Sequence, residues 1–404
     1  MEASLTPLDK ALELLLGGLQ VTAGEQTVEL RSAVGNVLSR DVLAPVDVPP
    51  ADNSAMDGYA VNPQDVDSVP VSLPVSQRIP AGQPGTELRR GTAARIFTGA
   101  PLPPGASAVV MQENTEAQEQ SVCILQSVDE GENVRRQGED IRRGSRLLSA
   151  GHRITVPDMH VLSASGIARL AVRRPLRVAV LATGDELVRP GSDLQPGQIY
   201  NSNFFLLSAL LDRLGMEVID CGTVADRLSA TREQLVQAAR AADCIITSGG
   251  VSVGEEDHVK AAVQELGHIG LWKLAVKPGK PFAWGEVETR PFFGLPGNPV
   301  SAFVTFVLLV RPALLKLSGA MVSAPLAMRM PVAFSASSSE RQEYLRVKLV
   351  AAESGDLQLQ ACRNQSSGAG SSLGEADGLA VLPPFTSVQC GDRLGFIPMS
   401  ELVD

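Results

Sequence analysis

Thr247-Ser248-Gly249-Gly250-Val251-Ser252-Val253-Gly254-Glu255-Glu256-Asp257 is a glycine-rich turn set between two apolar elements. The run Asp243-Cys244-Ile245-Ile246 before it has the pattern of a fully buried strand, and residues 258–266 after it have that of a helix. A strand, a glycine turn and a helix start make an anion site, because glycines let backbone N–H groups approach a ligand closely. The turn then ends in three carboxylates. These repel an oxyanion unless a cation stands between, so the loop suggests phosphate held with Mg²⁺. The same residues also fit a tight turn whose acids only complement a helix dipole.

Working outward, residues 177–319 alternate strands and helices. Strands are expected at 177–182, 217–220, 245–246, within 271–276 and at 290–294. Helices are expected at 203–214, 231–242, from His258, and at 300–317. Buried strands alternating with helices imply a parallel doubly wound sheet, with ligands at the carboxyl ends of its strands. The flanks differ. Residues 1–20 read as an amphipathic helix with Thr6 as cap and Pro7 in the first turn. Residues 45–140 read as β structure, and 142–171 as a return through strands. Residues from 324 onward alternate as a small β-barrel or sandwich. The expected fold is a multidomain α/β chain. A discontinuous α+β N-terminal domain takes 1–47 and 141–176, with a β-rich domain, 48–140, inserted into it. The doubly wound domain takes 177–322 and a C-terminal β-barrel 323–404.

Composition narrows the partners. A net charge of −10 argues against nonspecific nucleic-acid binding, so an anionic substrate must be drawn in by a local basic cluster. Five scattered cysteines without a CxxC pair fit a reducing compartment. The start has no signal-peptide pattern, and the longest apolar stretch, 302–310, stops at Arg311-Pro312. A soluble cytoplasmic protein, with no membrane partner, is expected.

Acids recur on the expected rim. Thr183-Gly184-Asp185-Glu186 follows the first strand, where Thr-x-x-Glu could equally cap a helix. Asp226 follows the second strand and the glycine turn follows the third. Lys273 and Lys277-Pro278-Gly279-Lys280-Pro281 supply positive charge on a stiff loop, although two lysines alone would read as a solvated turn. Leu295-Pro296-Gly297-Asn298-Pro299-Val300-Ser301 precedes the last helix, where Asn298 or Ser301 could cap it or free N–H groups could meet substrate.

Taken in order, these pieces resemble the MoeA family, the molybdopterin molybdenumtransferases, to which the gephyrin C-terminal domain is related. The matching residues are Asp52-Asn53-Ser54-Ala55-Met56-Asp57-Gly58-Tyr59-Ala60, Ile96-Phe97-Thr98-Gly99-Ala100 and the Arg136–Asp140 connector. Thr183–Glu186, Ser248–Gly254, Lys277–Pro281 and Gly294–Pro299 complete the set. The resemblance implies that adenylylated molybdopterin and molybdate give molybdenum cofactor, with Mg²⁺-dependent release of AMP. It also implies a homodimer whose site lies between subunits, supplied by a molybdopterin adenylyltransferase. By this resemblance Asp57, Thr98, Glu186, Asp226, Lys273 and Lys277 are catalytic. Asp140, Thr183, Gly184, Ser248, Gly249, Gly250, Ser252, Gly254, Lys280, Pro296, Gly297, Asn298 and Pro299 hold substrate. Glu186, Asp226 and Asp257 place the metal, and the serine-rich patch 366–372 matches a loop near the cleft. Where some members have paired acids, this chain has Asp226-Arg227. An ATP-dependent adenylyltransferase and a non-catalytic molybdopterin-binding scaffold are the competing readings.

Overall fold

The sheet beneath the expected rim has six strands, in spatial order Glu217–Val224, Arg177–Thr183, Cys244–Ser248, Arg290–Leu295, Pro281–Val287 and Gly267–Lys273. It comes from a computed structural model that describes residues 5–250 and 258–403. The first four strands run parallel. The last two are antiparallel additions at one edge, so the sheet is mixed where a parallel one was expected. Strand Pro281–Val287 escapes the sequence reading because its hairpin turn, Glu288-Thr289, has both residues at positive φ, 45° and 73°, with no glycine or asparagine to signal it.

Side chains alternate across the sheet as its pleat requires. Val178 and Val180 enter one core with Leu207, Ile246, Phe293 and Val300. Ala179 and Leu181 enter the other with Leu235, Ile245, Val259 and Phe292. Helices Ser202–Arg213 and Pro299–Leu317 close the first face, and Leu228–Ala241 and His258–Leu266 the second. The helix 299–317 runs through Arg311-Pro312, in keeping with the helix expected at 300–317. A π-helical turn, Phe306–Val310, accommodates Pro312, which has no N–H to donate back. This helix is long and apolar enough to cross a bilayer, but 83% of its most apolar window is buried, so core packing accounts for its composition.

The first helix, Leu8–Gly18, packs Ala11 and Leu15 into the first core. Thr6 does not cap it; Pro7 holds the cap position without a side-chain bond. Thr6 instead pairs its backbone with the sheet edge, donating to Lys273 O at 2.8 Å and accepting from Ala275 N at 2.8 Å. Strand Glu25–Glu29 pairs antiparallel with Arg169–Arg173, joining the two separated N-terminal segments. Between them lies a helix, Val156–Ala164, where only strands were expected. Its capping box, Thr155 with Asp158, is the signal that was there to read.

The inserted segment forms a second six-stranded sheet, with Ala93–Ile96 and Val71–Ile79 at its centre and Gly58–Val61 beside them. In the C-terminal segment, strands Leu357–Ala361, Gln342–Ala351, Gly378–Leu382, Arg393–Pro398 and Met328–Pro331 neighbour one another, and the Val332–Leu359 bridge joins the ends into a small barrel. Val276–Lys277 adds to it beside Gln342-Glu343, so the lysine loop of the doubly wound domain docks on the barrel.

Candidate active site

A cavity of about 580 Å³ opens at the carboxyl ends of strands Arg177–Thr183, Cys244–Ser248 and Arg290–Leu295. Thr183, Gly184, Glu186 and Asp226 line one part of it. Ser248, Gly249, Gly250, Gly297, Asn298 and Pro299 line another. Pro296 does not face it. Ser252, Gly254 and Asp257 lie outside the described residues.

The loop after Thr183 does not start a helix, so the capping-box alternative fails. It turns at Gly184, φ +142°, into the short strand Leu187–Val188, which pairs with Ile199–Tyr200. A Cβ at Gly184 would strike the Glu186 carboxylate, which folds back over the turn. Asp185 Oδ1 accepts from the Asp226 amide at 3.1 Å, tying the first strand-end loop to the second. Glu186 and Asp226 therefore face one cavity from two loops. Among the described residues no group of three His, Cys, Asp or Glu side chains could hold a metal ion.

The glycine pair works differently from the sequence expectation. The Gly249 N–H donates to Leu295 O at 3.0 Å, so it is spent within the sheet and does not serve an anion. Gly249 and Gly250 have φ of +93° and +65°. A Cβ on Gly249 would meet Thr183 O at 3.2 Å, and one on Gly250 would strike the Val259 side chain. These glycines let the backbone pass between Thr183 and helix His258–Leu266.

Asn298 sits at the N-cap position of the following helix, yet its side chain makes no capping bond, which leaves it to the cavity. The Val300 amide donates to Ser367 O at 3.0 Å, seating the serine-rich loop on this helix start. Ser372, from the same loop, accepts from Arg346 Nε at 3.1 Å.

The lysines do not line the cavity. Lys273 ends an edge strand, Lys280 is exposed, and Lys277 Nζ lies 3.0 Å from Glu343 Oε1. Asp57 and Thr98 meet at turns flanking strands Gly58–Val61 and Ala93–Ile96 of the inserted sheet, also away from the cavity lining. The Thr98 amide donates to Asp57 Oδ1 at 2.8 Å and its hydroxyl at 2.7 Å. These two bonds, with the nearby Arg95 charge, hold the Asp57 carboxyl below the usual carboxylate range against a small opposing effect of burial. Asp140 is exposed in the connector, where its amide donates to Val48 O.

Sequence reasoning passed over Leu187, Ile199, Tyr200, Asn201 and Asn203, which all line the cavity. Asn201 caps helix Ser202–Arg213 by accepting from the Phe204 amide at 3.2 Å. An asparagine before an apolar helix is a readable capping signal. The exposed hydrophobic pair Ile199-Tyr200 carried none.

Three family models match in chain order. The MoeA N-terminal region (domain I and II) matches residues 6–166, a probable molybdopterin binding domain 179–316, and the MoeA C-terminal region (domain IV) 329–399. The chain belongs to the MoeA family. A molybdopterin molybdenumtransferase of Haemophilus influenzae is 42% identical over 314 residues, covering 77% of this chain and 78% of that protein. A putative molybdopterin biosynthesis protein of Methanocaldococcus jannaschii is 31% identical and covers 94% of each chain. The crystal structure of a molybdopterin biosynthesis MoeA protein from Pyrococcus horikoshii matches with a TM-score of 0.83 at 33% identity, over 98% of this chain and 99% of that one. The MoeA assignment brings the expected class with it, an enzyme of molybdenum cofactor biosynthesis.

Proposed function

We propose that this MoeA-family chain transfers molybdenum from molybdate to adenylylated molybdopterin and releases AMP in a Mg²⁺-dependent step. The observation that carries this reading is the pairing of Glu186 and Asp226 on one cavity with a glycine turn at the strand ends. Two carboxylates suit Mg²⁺, which takes one or two from protein and fills its remaining positions with phosphate and water. Glu186 and Asp226 would hold the ion, which when bound offsets phosphate charge as a Lewis acid.

The chain's own groups do the rest by position and polarity. The side chains of Ser248 and Asn298 contact phosphate oxygens. Lys273, Lys277 and Lys280, at the edge strand's end and on the segment that follows it, attract the molybdate dianion and the substrate's phosphates. The two molybdopterin sulfurs replace two molybdate oxygens, which take up protons and leave as water without a change of oxidation state. One water enters as the phosphoanhydride breaks, and AMP leaves. Asp57, Thr98 and Asp140 act on the cavity of a second copy in a homodimer, which accounts for their distance from the cavity of their own chain. A molybdopterin adenylyltransferase supplies the substrate. The excess of acids supports the absence of nucleic acid or membrane partners, and the unpaired cysteines support a cytoplasmic location.

AMP formation from adenylylated molybdopterin, molybdate and Mg²⁺, followed by chromatography, tests the reaction. AMP and active cofactor are expected; neither appearing defeats the reading. ATP consumption with unmodified molybdopterin would favour an adenylyltransferase instead, and ligand binding without turnover a scaffold. Light scattering of the full chain at twice the monomer mass is expected for the dimer.

A further inference from the structure

We infer that Asn203 is a positioning residue that makes the Ser248 hydroxyl a hydrogen-bond donor to the anionic substrate; this rests on the function proposed above. Asn203 lies in the first turn of helix Ser202–Arg213 and is only 9% exposed. Its Nδ2 donates to Gly297 O at 2.7 Å and to Ser248 Oγ at 2.8 Å. The first bond fixes the amide's orientation, because a backbone carbonyl can only accept. Both amide hydrogens are then committed, and Ser248 Oγ must be the acceptor in the second bond. Its own proton points elsewhere, and among the described residues no acceptor takes it. Ser248 lines the cavity. A phosphate oxygen there meets a hydroxyl whose lone pair is already engaged and whose proton is free to give.

A second observation points the same way. Asn203 Oδ1 is buried without a hydrogen-bond partner among the described residues. Leaving such an acceptor bare is costly, and Asn203 keeps it beside the cavity that it lines. The two bonds also pin two rim loops to one helix start, since residues 203, 248 and 297 come from separate strand-end segments.

Calorimetric titration of the full chain with AMP, and separately with molybdate, tests this. Ser248→Ala is expected to weaken AMP binding about tenfold and Asn203→Ala about fivefold, whereas Ser248→Thr, which keeps the hydroxyl, restores most of the affinity. If Asn203 acts through Ser248, the double variant binds about as weakly as Ser248→Ala alone. Additive losses of about fiftyfold, or unchanged binding in folded Ser248→Ala, overturn the inference. Should Asn203→Ala fail to fold, the alanine–threonine comparison at Ser248 still decides whether the hydroxyl donates. Wild-type protein that binds AMP with this coupling but forms none from adenylylated molybdopterin defeats the proposed reaction and leaves the inference standing. Wild-type protein that binds neither probe defeats both.

Discussion

Lys277 and Glu343 form an ion pair, Nζ to Oε1 at 3.0 Å, between the loop leaving the doubly wound sheet and the longest strand of the C-terminal barrel. The two residues are also direct partners in a parallel strand pairing. Glu343 is buried, with 9% of its side chain exposed, while half of the lysine side chain reaches solvent. The barrel therefore sets where one of the expected substrate lysines can reach.

Glu343→Gln removes the charge and leaves a similar shape. Because the lysine is partly solvated, the expected cost is about 1–2 kcal/mol, well below that of a fully buried pair. Chemical denaturation reads that cost. AMP release is expected to fall more than stability does, since an untethered Lys277 loses its fixed position. An unchanged turnover would remove the lysine from the site.

Asp57→Ala is expected to lower AMP release by about 100-fold or more, while leaving stability nearly unchanged. Its bonds to Thr98 join two exposed turns and bury little. Equal losses of activity and stability would show that Asp57 only shapes its turn. Because Thr98 keeps the carboxyl ionised, the part of the rate that depends on Asp57 is expected to persist as pH falls to about 4, the ordinary aspartate value.

Gly184→Ala puts a methyl group against the Glu186 carboxylate at a φ of +142° that side chains avoid. Glu186 must swing away, so the Mg²⁺ concentration for half-maximal AMP release is expected to rise several-fold. A metal titration of the variant checks this, and an unchanged requirement would take Glu186 out of metal placement.

Asp243→Ala tests the opposite end of the sheet from the site, before strand Cys244–Ser248. Arg174 grips the carboxylate at 2.7 and 2.8 Å, and the Arg177 amide donates at 2.8 Å. Burial pushes this carboxyl up, but the Arg174 fork, the Arg177 amide and both guanidinium charges outweigh it and hold it below the usual range. A carboxyl depressed in the fold stabilises above its unfolded value of about 3.9, and that contribution is lost as pH falls through the folded value. The variant is expected to lose about 2–4 kcal/mol at pH 7, with a smaller deficit at about pH 3. Denaturant melts at the two pH values read both.

The legible parts of this protein are those whose signal is local. Strands 177–183 and 244–248 are built on the apolar runs 178–182 and 244–246, and a run buried on both faces shows itself without knowledge of its neighbours. The Glu288-Thr289 hairpin was illegible because its positive φ values are imposed by the strands it joins, not by its residue types. The Thr183–Glu186 segment matches a helix-capping pattern, yet pairing of Leu187–Val188 with Ile199–Tyr200 overrides it.

Sequence alone determined the alternation of buried strands with helices and the glycine turns at their ends, because hydrophobic periodicity and turn chemistry act within a few residues. Tertiary structure decided which groups those turns leave free. Gly249 spends its amide on Leu295, Asn203 reaches Gly297 across 94 residues, and Lys277 meets Glu343 across 66. Each is a directional contact between distant segments, formed only once packing of the sheet, helices and barrel has brought donor and acceptor within about 3 Å.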